Sequence, residues 1–186
     1  MKLRHGLPIL LLFSMIQLPV QARINPVLHE KDSLTVYVFL LEECVISKNY
    51  TDKLKELYTT FHDKKIGFLG LFPNAQSREN TIQTFGKTYG ILFPMKTDHY
   101  QKMTQKLGAS ITPEVVVFDH EKNEIIYRGR IDNRYASIGK RRTVVSSSEL
   151  EDVLKDWSAG NDVEFHEMAA IGCFIQKIKK ESVHNE

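Results

Sequence analysis

Apolar residues occur along this chain in two rhythms, short unbroken runs and singles at helical spacing, and their order predicts an architecture. Residues 34–41 (LTVYVFLL) are apolar, β-branched and aromatic between Asp32-Ser33 and Glu42-Glu43, which predicts a buried central strand. Tyr50, Leu54, Leu57, Tyr58 and Phe61 then recur on one face of a helix. A second run at 66–72 (IGFLGLF) precedes a helix over 77–89, opened by Ser77 and closed by Gly90. Strand, helix, strand implies a parallel pair joined by a crossover helix. A third helix fits 100–107, with Asp98 and Gln101 spaced as a capping box and Gly108 as its stop. Residues 114–119, directly after Pro113, and 124–130, across the polar turn 120–123, form a hairpin pattern. The last helix spans 149–158, with Ser148 and Glu151 as a capping box, Leu150, Val153, Leu154 and Trp157 facing inward, and Gly160 ending it. Residues 132–145 carry no period and read as a loop, and the polar stretch 176–186 reads as a frayed tail.

The first residues follow a different pattern. Lys2, Arg4 and His5 precede an apolar run over 7–20 that ends in Val20-Gln21-Ala22, the layout of a cleavable signal peptide. Pro8, Ser14, Gln17 and Pro19 break the run, which falls short of the roughly 20 continuous apolar residues of a spanning helix. The expected organisation is a signal at 1–22, one domain over 23–175 and a polar tail at 176–186, exported to a periplasmic or extracellular compartment with no stable membrane span after cleavage. Cleavage removes two of the 25 basic residues and none of the 23 acidic ones, leaving a formal charge of zero. Such a balance gives no reason to expect a nucleic-acid partner.

Both cysteines survive cleavage. Cys44 and Cys173 lie 129 positions apart, too far for a local redox or zinc motif. In an oxidising compartment they are either paired or kept reactive, and a bond closing so long a loop stabilises by roughly 5 kcal/mol on the chain-entropy account. Cys44 stands where the first strand gives way to the first helix, and a helix N-terminus stabilises a thiolate. Glu42 and Glu43 act against this if they face the sulfur.

Strand, Cys44-Val45-Ile46-Ser47, helix, strand, a helical insertion, Thr112-Pro113 and a hairpin together resemble the thioredoxin superfamily, in particular its exported thioredoxin-like and peroxiredoxin-like redoxins. The match is carried by the turn at Cys44, by TPEVVVFD at 112–119, by YRGRID at 127–132 and by Gly172-Cys173-Phe174-Ile175. The resemblance implies an α/β thioredoxin-like fold, a central mixed sheet flanked by helices with a helical insertion before the cis-proline strand. It implies that Pro113 is the cis-proline opposite Cys44, and that Thr112 offers its backbone to an extended substrate segment. Ser47 stands where a thioredoxin has the second cysteine of its CxxC and lines the substrate side, while Arg130, Asp132 and Arg134 support the site or anchor its loop.

With Ser47 in that place, dithiol chemistry within the turn is excluded. A mixed disulfide on Cys44 is released by another thiol, from an external reductant or from Cys173 as resolving cysteine. A permanent Cys44–Cys173 staple is the other reading, and the residues leave both open. Three functions follow: a thiol–disulfide oxidoreductase acting on a protein or small-molecule disulfide or thiol substrate with an external reductant, a non-catalytic binding or scaffold module held by a structural disulfide, or a peroxiredoxin-like peroxidase. The last lacks its threonine, since Leu41 stands three residues before Cys44, and it lacks a proline over 37–40; Arg128 or Arg130 would have to polarise the peroxide. The seven histidines never fall at metal-ligand spacing, so neither metal nor cofactor is expected. Asn49-Tyr50-Thr51 matches a glycosylation acceptor but sits in the first predicted helix, and Lys140-Arg141-Arg142 reads as a solvated loop.

Overall fold

A computed structural model describes residues 32–178; the predicted signal at 1–22 and residues 179–186 of the expected tail lie outside the described residues. The first apolar run forms β1 (Leu34–Phe39), followed by helix α1 (Val45–Phe61), a 3-10 turn (His62–Lys64) and β2 (Ile66–Phe72). β1 and β2 pair in parallel, as a strand–helix–strand unit requires. Helix α2 (Glu79–Tyr89), β3 (Met95–Thr97), α3 (Lys102–Leu107) and β4 (Ile111–Thr112) form the insertion, and the hairpin β5 (Glu114–Asp119) and β6 (Glu124–Gly129) returns antiparallel to β1. After β7 (Tyr135–Ser137) and β8 (Lys140–Arg141) come α4 (Glu149–Ser158), β9 (His166–Met168) and β10 (Cys173–Phe174). The main sheet is mixed, in the order β3-β2-β1-β5-β6-β9, while β10 pairs with β4 alone.

Alternation along β1 divides the core. Leu34, Val36 and Val38 share one cluster with Leu54, Leu57 and Phe61 of α1, Ile82 and Phe85 of α2, and Leu150, Val153 and Leu154 of α4. Phe39 joins Leu69, Leu71, Leu107 and Val116 in a second cluster. Each such side chain buried in full contributes about 1.5–3 kcal/mol, which holds β1, and the turn that follows it, at the centre of the molecule.

Several boundaries differ from expectation. Helix α2 starts at Glu79, because Ser77 donates its hydroxyl to Glu42 (2.7 Å) and Thr81 receives the Arg78 amide (3.0 Å) instead. Gln101 has φ 52°, a conformation that stops α3 from extending back to Tyr100. The Asp98 carboxylate accepts the amides of Met103 and Thr104, the Gln101 backbone amide donates to the Asp98 backbone carbonyl, and the Gln101 side chain is engaged with Pro73, Gln176 and Ile178, so the expected box does not form. Ser148 makes no capping bond at α4, and Glu151 is held by Lys53 and Lys155. Gly90 and Gly108 end α2 and α3 as expected, both at positive φ. The segment 132–145 is not all loop, since it contains the β7–β8 hairpin. Nor are residues 176–178 frayed: Gln101 receives the Ile178 amide (3.2 Å) and donates to the Gln176 carbonyl (2.6 Å).

Candidate functional site

β1 delivers the chain to a turn in which the Cys44 amide donates to Leu41 (3.1 Å) and the Cys44 carbonyl receives Lys48 (3.0 Å), making Cys44 the N-cap of α1. Across from it, Thr112-Pro113 is a cis peptide between β4 and β5. The Cys44 thiol donates to the Thr112 carbonyl at 3.3 Å. Turn and proline loop therefore face each other as the resemblance implied.

The Thr112 edge, however, is occupied by the chain's own C-terminal strand. Cys173 lies opposite Thr112 and Phe174 opposite Ile111 in antiparallel register, with Ile175 donating to Ser110 (2.9 Å) and the Thr112 hydroxyl to Cys173 (3.3 Å). This register sets Cys173 Sγ 2.7 Å from Cys44 Sγ. Gly172 is what lets the strand come so close, because a Cβ there would overlap the Thr112 carbonyl. Gln101, almost fully buried, holds the next residues: its amide group bridges Pro73 (3.1 Å), Gln176 and Ile178. Glu114, buried beside the proline, braces the loop by accepting the amides of Ser110 (2.7 Å) and Ile111 (3.2 Å).

The two thiols differ in acidity. Burial pushes Cys44 up, yet the hydrogen bonds reaching its sulfur, from the Cys173 thiol and from the amide and hydroxyl of Ser47, outweigh burial and hold it below the ordinary cysteine value. Cys173 moves the other way, pushed up to about 11 by burial and by its bond to Cys44. Glu42 does not oppose the Cys44 thiolate at close range, because its carboxylate is turned to Ser77 (2.7 Å) and Thr81 (2.8 Å), and Glu43 is exposed.

The other expected site residues divide clearly. Ser47 is fully buried, accepts the Leu41 amide (3.3 Å) and bonds the Cys44 sulfur, so it lies behind that sulfur and is not presented to an incoming molecule. Asp132 accepts from the Tyr50 hydroxyl (2.7 Å) and the Arg134 amide (2.8 Å), and Arg134 reaches the Asn49 carbonyl (2.9 Å) over the Tyr50 ring. Both anchor the 132–134 loop to α1. Arg130 is bound to Glu149 and Arg128 to Glu167 (3.0 Å), so each guanidinium is committed to a carboxylate. Sequence reasoning missed Gln101, Gly172 and Glu114. Only Gly172, a glycine next to a cysteine, carried a signal for close backbone approach.

Comparison with solved structures places this arrangement in a known fold. An uncharacterized conserved protein from Geobacillus kaustophilus superimposes with a TM-score of 0.69 at 22% identity, over 80% of this chain and 79% of that one. A hypothetical protein from Sinorhizobium meliloti 1021 gives 0.69 at 20%, over 81% and 82%. The thioredoxin domain of a thiol-disulfide oxidoreductase from Bacteroides vulgatus gives 0.50 at 14%, over 69% and 81%. At these identities the likeness is one of fold, and no curated protein matches the chain. The model of thioredoxin-like proteins matches residues 31–125, which run from the approach to β1 through α1, Cys44, the insertion and Pro113 into the hairpin. With half of its length matched and its remaining elements arranged as that fold requires, the chain belongs to the thioredoxin-like family.

Proposed function

We propose that the chain is an exported thiol–disulfide oxidoreductase in which Cys44 is the nucleophile and Cys173 the resolving cysteine. The observation that carries this reading is the 2.7 Å approach of two sulfurs 129 positions apart, beside a helix N-terminus and a cis-proline. Two cysteines so far apart in sequence meet at random rarely enough, but here the surrounding groups also split their acidities, lowering one and raising the other. That split is what an attacking thiolate and a waiting thiol require.

The reaction balances as follows. The Cys44 thiolate attacks an external disulfide, bonding one of its sulfurs and expelling the other as a thiolate. Cys173 gives its proton to solvent and attacks Cys44 Sγ, releasing the second substrate thiolate and closing the Cys44–Cys173 bond. Two electrons have passed to the substrate, and an external thiol reductant restores them. Thr112 and Pro113 flank the reacting sulfur; the substrate reaches it when β10 lifts from β4.

Catalysed reduction of a model protein disulfide, measured with a supplied thiol reductant, tests the reading: activity lost in Cys44→Ser supports it. The scaffold reading draws on one observation, that Cys44 is only 2% exposed. It is favoured if reduction lowers the melting temperature but no turnover is detected. Peroxide consumption is not expected, since Leu41 supplies no hydroxyl and Arg128 and Arg130 are held by Glu167 and Glu149.

A further inference from the structure

We infer that the two sulfurs meet different partners: an external thiol reductant attacks the Cys44–Cys173 disulfide at Cys173, and Cys44 is the internal leaving group. This rests on the oxidoreductase reading and adds which atom the reductant touches. Thiol–disulfide exchange is an in-line displacement, so the incoming sulfur approaches from the side opposite the sulfur that leaves. The approach to Cys44 is closed by the surrounding protein. Cys44 is 2% exposed, the Thr112 carbonyl lies 3.3 Å from its Sγ, and fully buried Ser47 also bonds the sulfur. The approach to Cys173 is more open. Cys173 is partly exposed, Phe174 beside it is 77% exposed, and the strand carrying both is paired on one side only.

Leaving-group chemistry agrees with the geometry. The sulfur with the more stable thiolate departs faster, and Cys44 is the one held low while Cys173 is pushed up. In the first step a reductant thiolate bonds Cys173 Sγ, the Cys44–Cys173 bond breaks, and its electron pair stays on Cys44. A second reductant thiolate then attacks the reductant's sulfur in the mixed disulfide, freeing Cys173, which takes a proton from water. The reductant leaves as its disulfide, and the protein has gained two electrons. Once reduced, β10 is held without a covalent bond, by hydrogen bonds and by the packing of Cys173 and the adjoining Ile171 and Ile175 against the core, so the substrate disulfide gains access to Cys44 when the strand lifts. The oxidised protein keeps the strand stapled and offers only Cys173.

The test is to mix the oxidised protein with glutathione, quench with acid at early times and locate the adduct by peptide mass mapping. The expected result is adduct on Cys173 in about tenfold or greater excess over Cys44. A second readout uses Phe174→Lys, which places a cation one residue from Cys173. It should speed opening by anionic mercaptoethanesulfonate relative to cationic cysteamine by roughly severalfold, without moving the titration midpoint of Cys44. Adduct chiefly on Cys44, or a rate ratio indifferent to position 174, overturns the inference and leaves the oxidoreductase reading standing. If no Cys44–Cys173 bond forms in a glutathione redox buffer, the oxidoreductase reading itself fails.

Discussion

Cys44, Ser47, Gly172 and Glu114 each act on the site through a few specific contacts, and these contacts have measurable consequences. The Cys44 thiolate is favoured because hydrogen bonds from Cys173 and Ser47 outweigh burial. Removing the Cys173 thiol in Cys173→Ala, or the Ser47 hydroxyl in Ser47→Ala, should move the Cys44 midpoint to higher pH, as read by ultraviolet thiolate absorbance; a midpoint that stays put in both would show that these side chains do not set its acidity. Gly172→Ala drives a methyl group into the Thr112 carbonyl, so β10 must separate from β4. The equilibrium constant for closing the Cys44–Cys173 bond should fall by about tenfold or more in a glutathione redox buffer, with little change in the melting temperature of the reduced protein. Glu114 is pushed up from the ordinary glutamate value, 4.5, first by burial, which exceeds the opposing bonds from Ser110 and Ile111. Because its folded value lies above the unfolded one, its stabilising contribution is complete below pH 4.5 and is lost as pH rises through the folded value. Glu114→Gln keeps an acceptor for both amides without the charge, and should be more stable than the parent at neutral pH. That advantage should vanish in acid, as thermal unfolding at both pH values would reveal.

At the scale of elements, the hold on β10 is out of proportion to its length. Two residues pair with β4, and the segment beyond them is fixed by Gln101, whose φ of 52° and near-complete burial commit it to that task. Gln101→Leu removes the bonds to Pro73, Gln176 and Ile178. Each hydrogen bond of this kind is worth about 0.5–1.5 kcal/mol net, more when its buried partner is left unpaired. Hydrogen exchange at the Ile175 amide should accelerate in the variant while amides of β1 keep their protection; equal protection in variant and parent would mean that Gln101 does not hold the strand. None of this could be read from the sequence. β1, β2, α1, α4 and the β5–β6 hairpin were legible because each runs six residues or more with one clear period, and Cys44 and Pro113 were legible because they punctuate those elements. β3, β4, β9 and β10 have two or three residues each, too few for any period. Their pairing is decided by partners far along the chain, so the substrate edge expected at Thr112 gave no sign that Cys173 would cover it. The capping boxes failed for a related reason: Gln101 and Glu151 had the right spacing but found distant partners.

For the whole molecule, a Cys44–Cys173 bond ties the centre of the sheet to the last described strand and encloses the insertion, the hairpin and α4. On the chain-entropy account, closing a loop of this length removes about 5 kcal/mol of freedom from the unfolded chain. For a domain of this size each kcal/mol moves the melting temperature by about 2–4 °C. Oxidised protein should therefore melt about 10–20 °C above reduced protein, and Cys44→Ser/Cys173→Ser should melt with the reduced form and ignore reductant. The double variant should still fold, because both core clusters are built largely from other side chains. Opening is also expected to be graded. In the reduced protein β10, an edge strand with one neighbour, should exchange its amides well before β1 and β2 do, whereas oxidation should raise its protection toward theirs. A single melting temperature for both redox states, with unchanged exchange at Ile175, would mean that the sulfurs approach without ever joining. A large gap with graded exchange would instead make β10 a cover that oxidation fastens and reduction frees, so that the redox state of the protein decides whether Cys44 is within reach.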